Sequence, residues 1–305
     1  MQAVFLDCTG DLKRVMEDCG RKIPPDLQIM HGDPAPETVI EVCRTAEIIL
    51  VEHTVIPGQA LREARRLRAI IFMGTGAGSY IDLAAAESLD IQVLTTPGYG
   101  DRAVAEHAFA LMFAAARDIA RMDREIRGNQ WFPRGGLQLS GRKVAVIGLG
   151  GIGTTFARMA EAIGMRVAGW NRTPREEPFF VGDIETALSG ADVVSLHLAL
   201  NAGTAGLLDR RHLNLPNRGF LFINTARAQL VDEGAVIDAL ERGQIGHAAV
   251  DVFEEEPLPS THPLKSHPSV TLTAHSAYMT DDAYAELWRR AMAAFDGLVG
   301  ERVGA

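Results

Sequence analysis

Four glycines in a row of six residues, Gly148-Leu-Gly150-Gly151-Ile152-Gly153, stand between an apolar run at residues 144–147 and a helical pattern at 155–163. Glycine takes positive φ without steric cost, so a strand that must turn at once into a helix uses it. In this setting Gly148 makes the tight turn, Gly150 lets a pyrophosphate approach the backbone, and Gly153 lets helix and sheet pack closely. Gly151 and Ile152 belong to the same cofactor-binding turn, and the N-terminus of the helix that follows favours an anion. The segment therefore predicts a dinucleotide-binding βαβ unit within a parallel sheet.

The rest of the chain agrees with that expectation. Before the turn, apolar runs at residues 3–6, 27–30, 48–51, 69–72 and 91–94 alternate with helical patterns such as 12–19 and 58–67. After it, further runs follow at 166–170, 192–196, 219–224, 248–252 and 270–273. Strands alternating with helices build parallel α/β sheets. With 305 residues, about two domains are expected. The reading is an α/β, two-domain chain: a Rossmann-type doubly wound sheet over residues 98–280, and a smaller flavodoxin-like α/β substrate domain from 1–97 and 281–305. A long helix over about 103–127 should join the domains or line a dimer interface, with Glu106 and His107 tying the domains together.

Composition removes several classes of function. Asp and Glu number 39 against 30 Lys and Arg, a net charge of −9, which is the wrong sign for a general nucleic-acid footprint. Cys8, Cys19 and Cys43 form no CxxC pair and are odd in number, which fits reduced packing thiols in a cytoplasmic protein. The start of the chain lacks a basic stretch followed by an apolar one, and the apolar segment 103–116 is interrupted by Glu106 and His107. No membrane anchor is expected. Nor do His, Cys, Asp and Glu fall at metal-ligand spacings, so no metal is expected.

Cofactor type is read from the end of the next strand. Twenty-three residues after Gly148 the chain reads Asn171-Arg172-Thr173, where NAD enzymes usually place an acid on the ribose 2′-hydroxyl. Arg172 is suited instead to a 2′-phosphate, with help from Asn171, Thr173 and Arg175. NADP(H) is the expected cofactor, with NAD(H) as the alternative.

Three later segments carry chemistry: Ile223-Asn-Thr225-Ala-Arg227, Asp251-Val-Phe-Glu-Glu-Glu256-Pro, and Thr273-Ala-His275-Ser. Together with the glycine turn, Gly98-Tyr-Gly-Asp-Arg-Ala-Val-Ala-Glu106-His and Asp192-Val-Val-Ser-Leu-His197, they make the chain resemble the D-isomer-specific 2-hydroxyacid dehydrogenase family. That resemblance runs from about residue 54 to 285 and points to relatives that reduce glyoxylate or hydroxypyruvate. It implies that Arg227 binds a substrate carboxylate, His275 is the general acid/base and Glu256 polarises His275. It also implies that Asp251 holds the nicotinamide carboxamide, that Thr225 and His197 line the cofactor, and that the backbone amides of Ala77 and Gly78 bind the substrate. The side-chain chemistry agrees, because a guanidinium grips a carboxylate in two places and an imidazole exchanges protons near neutrality. The expected activity is reduction of small 2-oxo acids to D-2-hydroxy acids, or the reverse, by a homodimer. A noncatalytic dinucleotide-sensing protein and a phosphite dehydrogenase-like oxidoreductase are the alternatives. His53 is expected to be structural, and Phe132 and Tyr278 are aromatic candidates for the substrate pocket.

Overall fold

The computed structural model of the chain describes residues 2–20 and 22–300. Eleven strands among them are β1 (Ala3–Cys8), β2 (Leu27–His31), β3 (Ile48–Val51), β4 (Ala69–Phe72), β5 (Gln92–Thr95), β6 (Lys143–Ile147), β7 (Arg166–Trp170), β8 (Val193–Leu196), β9 (Phe220–Asn224), β10 (Ile245–Val250) and β11 (Val270–Leu272). The helices up to the glycine turn are α1 (Gly10–Asp18), α2 (Pro36–Thr45), α3 (Gly58–Arg62), α4 (Leu83–Ser88), α5 (Asp101–Ala116) and α6 (Ile119–Arg127). Those after it are α7 (Gly151–Ala162), α8 (Ile184–Leu188), α9 (Arg210–Leu213), α10 (Glu233–Glu241), α11 (Pro263–Ser266) and α12 (Asp281–Gly300). The chain divides into two compact units, one of Met1–Gly100 with Met279–Ala305 and one of Asp101–Tyr278.

The first unit holds a five-stranded sheet in the order β2-β1-β3-β4-β5, parallel throughout. Every residue of β3 and β4 is buried, as strands covered on both faces by crossover helices require. The C-terminal helix α12 belongs to this unit. It buries Leu287, Trp288, Ala291, Met292, Phe295 and Leu298, and its last turn accepts a hydrogen bond from Arg68 Nη2 at the Leu298 carbonyl. An exposed Arg14–Asp281 pair at 2.6 Å joins α1 to the start of α12.

The second unit holds a six-stranded parallel sheet in the order β11-β10-β9-β8-β6-β7, the doubly wound architecture expected from the sequence. Alternate residues of each strand enter opposite cores, as the two-residue period of a strand dictates. Ala145 and Ile147 pack with Val194, Phe220 and Phe222 on one face. Val144 and Val146 pack with Phe156, Leu221 and Ile223 on the other. The order reverses between β6 and β8, and at such a switch point the loops beyond the carboxyl ends form a ligand crevice.

Several local expectations are corrected. The long helix is two helices, α5 and α6, broken at Asp118, whose φ is +54°. Aspartate tolerates the left-handed region better than most residues, and the Leu137 amide closes the end of α5 by bonding the Ala116 carbonyl at 2.8 Å. Helix α3 stops at Arg62, short of the expected 67. Glu106 pairs with Arg102 on its own helix at 2.8 Å, and His107 reaches Thr273 of its own unit at 3.1 Å. Cys8 and Cys43 are buried thiols, whereas Cys19 is exposed after α1. No helix among the described residues is long and apolar enough to cross a membrane.

Candidate active site

The glycine turn follows β6 at the switch point, and its shape shows why glycine is required. Gly148 has φ +109°, and a Cβ there would lie 2.6 Å from the carbonyl carbon of His197. A Cβ on Gly153 would lie 1.8 Å from the Gly148 oxygen, and one on Gly151 would lie 1.7 Å from Asp101 Oδ2. Gly150 has open space around it and starts α7 with no side-chain cap, so the first amides of that twelve-residue helix keep their positive end for a ligand. Ile152, the second residue of α7, packs against the core on the Phe156 side of the sheet.

Neighbouring residues brace this cradle. Asn171 Oδ1 accepts the Leu149 amide at 3.1 Å and its Nδ2 donates to the Thr173 carbonyl at 2.8 Å. Asn171 therefore holds the turn, and the exposed Arg172 is left as the cation at the end of β7. The arginine lies over residue 203, with Nη1 3.0 Å from where a Gly203 Cβ would be. His197 supports the cradle from behind. Its ring is buried, bonds Ser195 Oγ at 2.8 Å and lies 4.9 Å from the Phe156 ring. Burial pushes its pKa down to about 3, so it is a neutral wall residue. Thr225 after β9 is also buried, and its Oγ1 finds no hydrogen-bond partner among the described residues. An uncapped helix end, glycines that exclude side chains and an orphaned hydroxyl together fit a nicotinamide dinucleotide.

The other chemical groups stand on the loops after β9, β10 and β11. Asn224 Nδ2 donates to the Arg227 carbonyl and its Oδ1 accepts the Ala226 amide, both at 3.0 Å. This brace presents the half-buried Arg227. Glu256 Oε1 accepts the Phe253 amide at 2.9 Å, while Oε2 meets His275 Nδ1 at 2.7 Å. Partial burial opposes ionisation of Glu256, but bonds from His275 and the Phe253 amide, with the charges of His275 and Arg227, hold its carboxyl below the usual range. An ionised carboxylate only accepts, so His275 Nδ1 carries the hydrogen and Nε2 is left for chemistry.

His275 sits in the left-handed region at φ +49°. Asp251 holds it there through its own loop bonds. Asp251 is fully buried, its Oδ1 takes Thr273 Oγ1 and the Ser276 amide, and its Oδ2 takes the Ala277 amide. Sequence reasoning missed this role, and also missed Asp101 beside the glycine turn. In the other unit, Ala77 is buried and Gly78 exposed at the head of a short 3₁₀ turn, Ala77–Ser79. The first amides of such a turn have no preceding carbonyl to bond. His53 is tied to Asp33 at 2.6 Å and lies 3.6 Å from Asp7, a structural employment.

Residues 109–277 match the family described as D-isomer specific 2-hydroxyacid dehydrogenase, NAD binding domain. Glyoxylate reductase of Aeropyrum pernix is 34% identical over 284 residues, covering 88% of this chain and 84% of that protein. D-3-phosphoglycerate dehydrogenase of Archaeoglobus fulgidus is 32% identical over 87% of this chain, which spans only 52% of that longer relative. Among solved structures, an acyclic imino acid reductase in complex with NADPH and D-Arg superposes with a TM-score of 0.85 at 26% identity, covering 99% of this chain and 98% of that one.

Proposed function

The chain belongs to the D-isomer specific 2-hydroxyacid dehydrogenase family, and from that premise we propose that it is an NADP(H)-dependent reductase of small 2-oxo acids, also able to run in reverse from the D-2-hydroxy acid. The observation that carries this reading is the Glu256–His275 pair at 2.7 Å, which joins the loops after β10 and β11, with Arg227 on the loop after β9. Glu256 fixes the ring through Nδ1. Nε2 then gives a proton to the oxygen on C2 of the substrate. Arg227 grips the substrate carboxylate and draws electron density from the adjacent carbonyl. In the first unit, the amides of Ala77 and Gly78 would be donors for an anionic substrate group. When bound, the nicotinamide dinucleotide supplies the hydride to C2.

The glycine turn and α7 N-terminus would hold the pyrophosphate, and Thr225 would give the dinucleotide a hydroxyl. Arg172 and Thr173 would meet the 2′-phosphate, since no acid is present to claim a ribose hydroxyl. The similar imino acid reductase, solved with NADPH, supports that assignment. The protein would act as a homodimer in the cytoplasm.

The test is oxidation of NADPH and of NADH, followed at the nicotinamide absorbance, with glyoxylate, hydroxypyruvate, pyruvate, phenylpyruvate and 2-oxoisocaproate. Turnover of any of these with NADPH is the expected result. Turnover with NADH alone would keep the reductase and remove the 2′-phosphate site. Tight dinucleotide binding without turnover would move the reading to phosphite oxidation or to a noncatalytic sensor.

A further inference from the structure

His107 lies on α5, more than 160 residues from the catalytic loop in sequence, yet its Nε2 is 3.1 Å from Thr273 Oγ1. The Thr273 hydroxyl has one hydrogen, and it goes to Asp251 Oδ1 at 2.6 Å. The oxygen of that hydroxyl must therefore accept from His107, which fixes Nε2 as the protonated nitrogen of the His107 ring. His107 Nε2 is also 3.7 Å from Asp251 Oδ1. The chain of bonds continues past Asp251. Its carboxyl oxygens take the amides of Ser276 and Ala277, each at 3.0 Å. The His275 amide donates to the Asp251 carbonyl at 2.8 Å. His275 is thus bracketed on both sides, by Thr273 and by Ser276–Ala277, through one buried aspartate.

A non-glycine residue at φ +49° costs energy and persists only where its surroundings over-determine it. Here the over-determination runs from α5 to the loop. We infer that His107 is a positioning residue for His275, acting through Thr273 and Asp251 to hold the left-handed loop that keeps the ring against Glu256. The inference rests on the reading of His275 as the general acid/base only for its effect on turnover. The held geometry is measurable without any substrate.

The variants are His107→Leu, which removes the donor, and His107→Gln, whose amide nitrogen can replace Nε2. Thr273→Val removes the next link. In His107→Leu, kcat for NADPH-dependent reduction of the best 2-oxo acid should fall by about ten- to a hundredfold, the scale of a small misplacement of a reacting group. Its KM and the NADPH dissociation constant should stay within about twofold, the pattern of an interaction expressed in the transition state. His107→Gln should recover most of the loss, and His107→Leu with Thr273→Val should cost no more than either alone. In the proton NMR spectrum, the low-field ring N–H of the His275–Glu256 bond should persist in wild type and His107→Gln and broaden or vanish in His107→Leu. An unchanged resonance and unchanged kcat in His107→Leu, failure of Gln to rescue, or additive losses in the double variant would each overturn the inference. If the resonance responds as expected while His275→Gln stays fully active, the proposed catalytic role fails and the positioning stands.

Discussion

With Nδ1 of His275 committed to Glu256, the proposed proton transfer falls to Nε2 alone. His275→Gln keeps a polar side chain and removes the proton. Turnover should fall by about 10²- to 10⁴-fold, the usual worth of a positioned acid/base, with NADPH affinity unchanged in a fluorescence titration. Rates near wild type would take His275 out of the mechanism. Arg172 is tested by charge reversal. Asn171 is occupied with the glycine turn, so Arg172 directly after β7 is proposed as the first cation to meet a 2′-phosphate, and Arg172→Asp places a carboxylate where an NAD enzyme keeps one. The ratio of kcat/KM for NADPH over NADH should drop at least about tenfold, since one charge-assisted contact is worth about 1.5–3 kcal/mol. An unchanged ratio would mean that the phosphate is bound elsewhere or not at all. At this scale Arg227, Glu256 and His275 were legible because each residue type states its chemistry and each follows a strand. The loop-holding role of Asp251 was not legible, because its partners are a hydroxyl and two loop amides, and amide direction is written in backbone geometry that residue identity does not carry.

Elements were legible where burial and period agree. Strands β3 and β4 run over the expected residues because a fully covered parallel strand is an unbroken apolar run. The break between α5 and α6 was not legible, since Arg117-Asp118 has neither glycine nor proline and the kink arises from the chain returning to the end of α5 at Leu137. The end of β3 shows a further arrangement. Asp7, fully buried at the end of β1, accepts the amides of Glu52, His53 and Thr54 at 2.8, 2.8 and 2.6 Å. This ties β3 to β1 at the point where the sheet order reverses, and places a second buried carboxyl beside the first. Burial, and then the charge of Asp7, push the Glu52 carboxyl up from 4.5 to about 7. The folded protein thus keeps a proton that the unfolded chain has lost between those values. Linkage makes stability fall as pH rises through that window, and the loss is complete above pH 7. Glu52→Gln removes the titration while its amide oxygen can still accept from Thr9 Oγ1. At pH 8 the variant should be more stable by about 2 kcal/mol, because each pH step between the two values is worth roughly 1.4 kcal/mol and solvent relaxation returns part of it. At pH 4.5 it should show no gain. Thermal unfolding at the two pH values measures the difference, and an equal effect at both would mean that Glu52 is not protonated in the fold.

At the scale of the whole molecule, the net charge of −9 opposes self-association at low salt, and a local apolar surface would favour it. The second unit has one. No residue of α6 is buried, and its Ile119, Met122 and Ile126 are spaced as one stripe of a helix. The exposed Phe113 stands on the preceding helix, and Trp131 and Phe132 follow α6, with Trp131 80% exposed and Ile126 54%. Arg134 holds this following segment against α6 through Glu125, with Nε 3.0 Å from Oε2. The aromatic pair is therefore presented by a braced segment. Exposed large apolar side chains along one helix and the segment after it are candidates for an interaction surface, and tryptophan is enriched among the residues that dominate binding. A second copy of the chain is the occupant proposed above. Sedimentation at micromolar concentration should then give about twice 33.0 kDa. The double variant Trp131→Glu with Ile126→Glu should shift the species toward the single-chain mass. Both positions are exposed, so the variant should leave the melting temperature of the separated chain near that of wild type at the same low concentration. A wild-type protein that sediments as a single chain at every concentration would show that this face serves something other than a second copy.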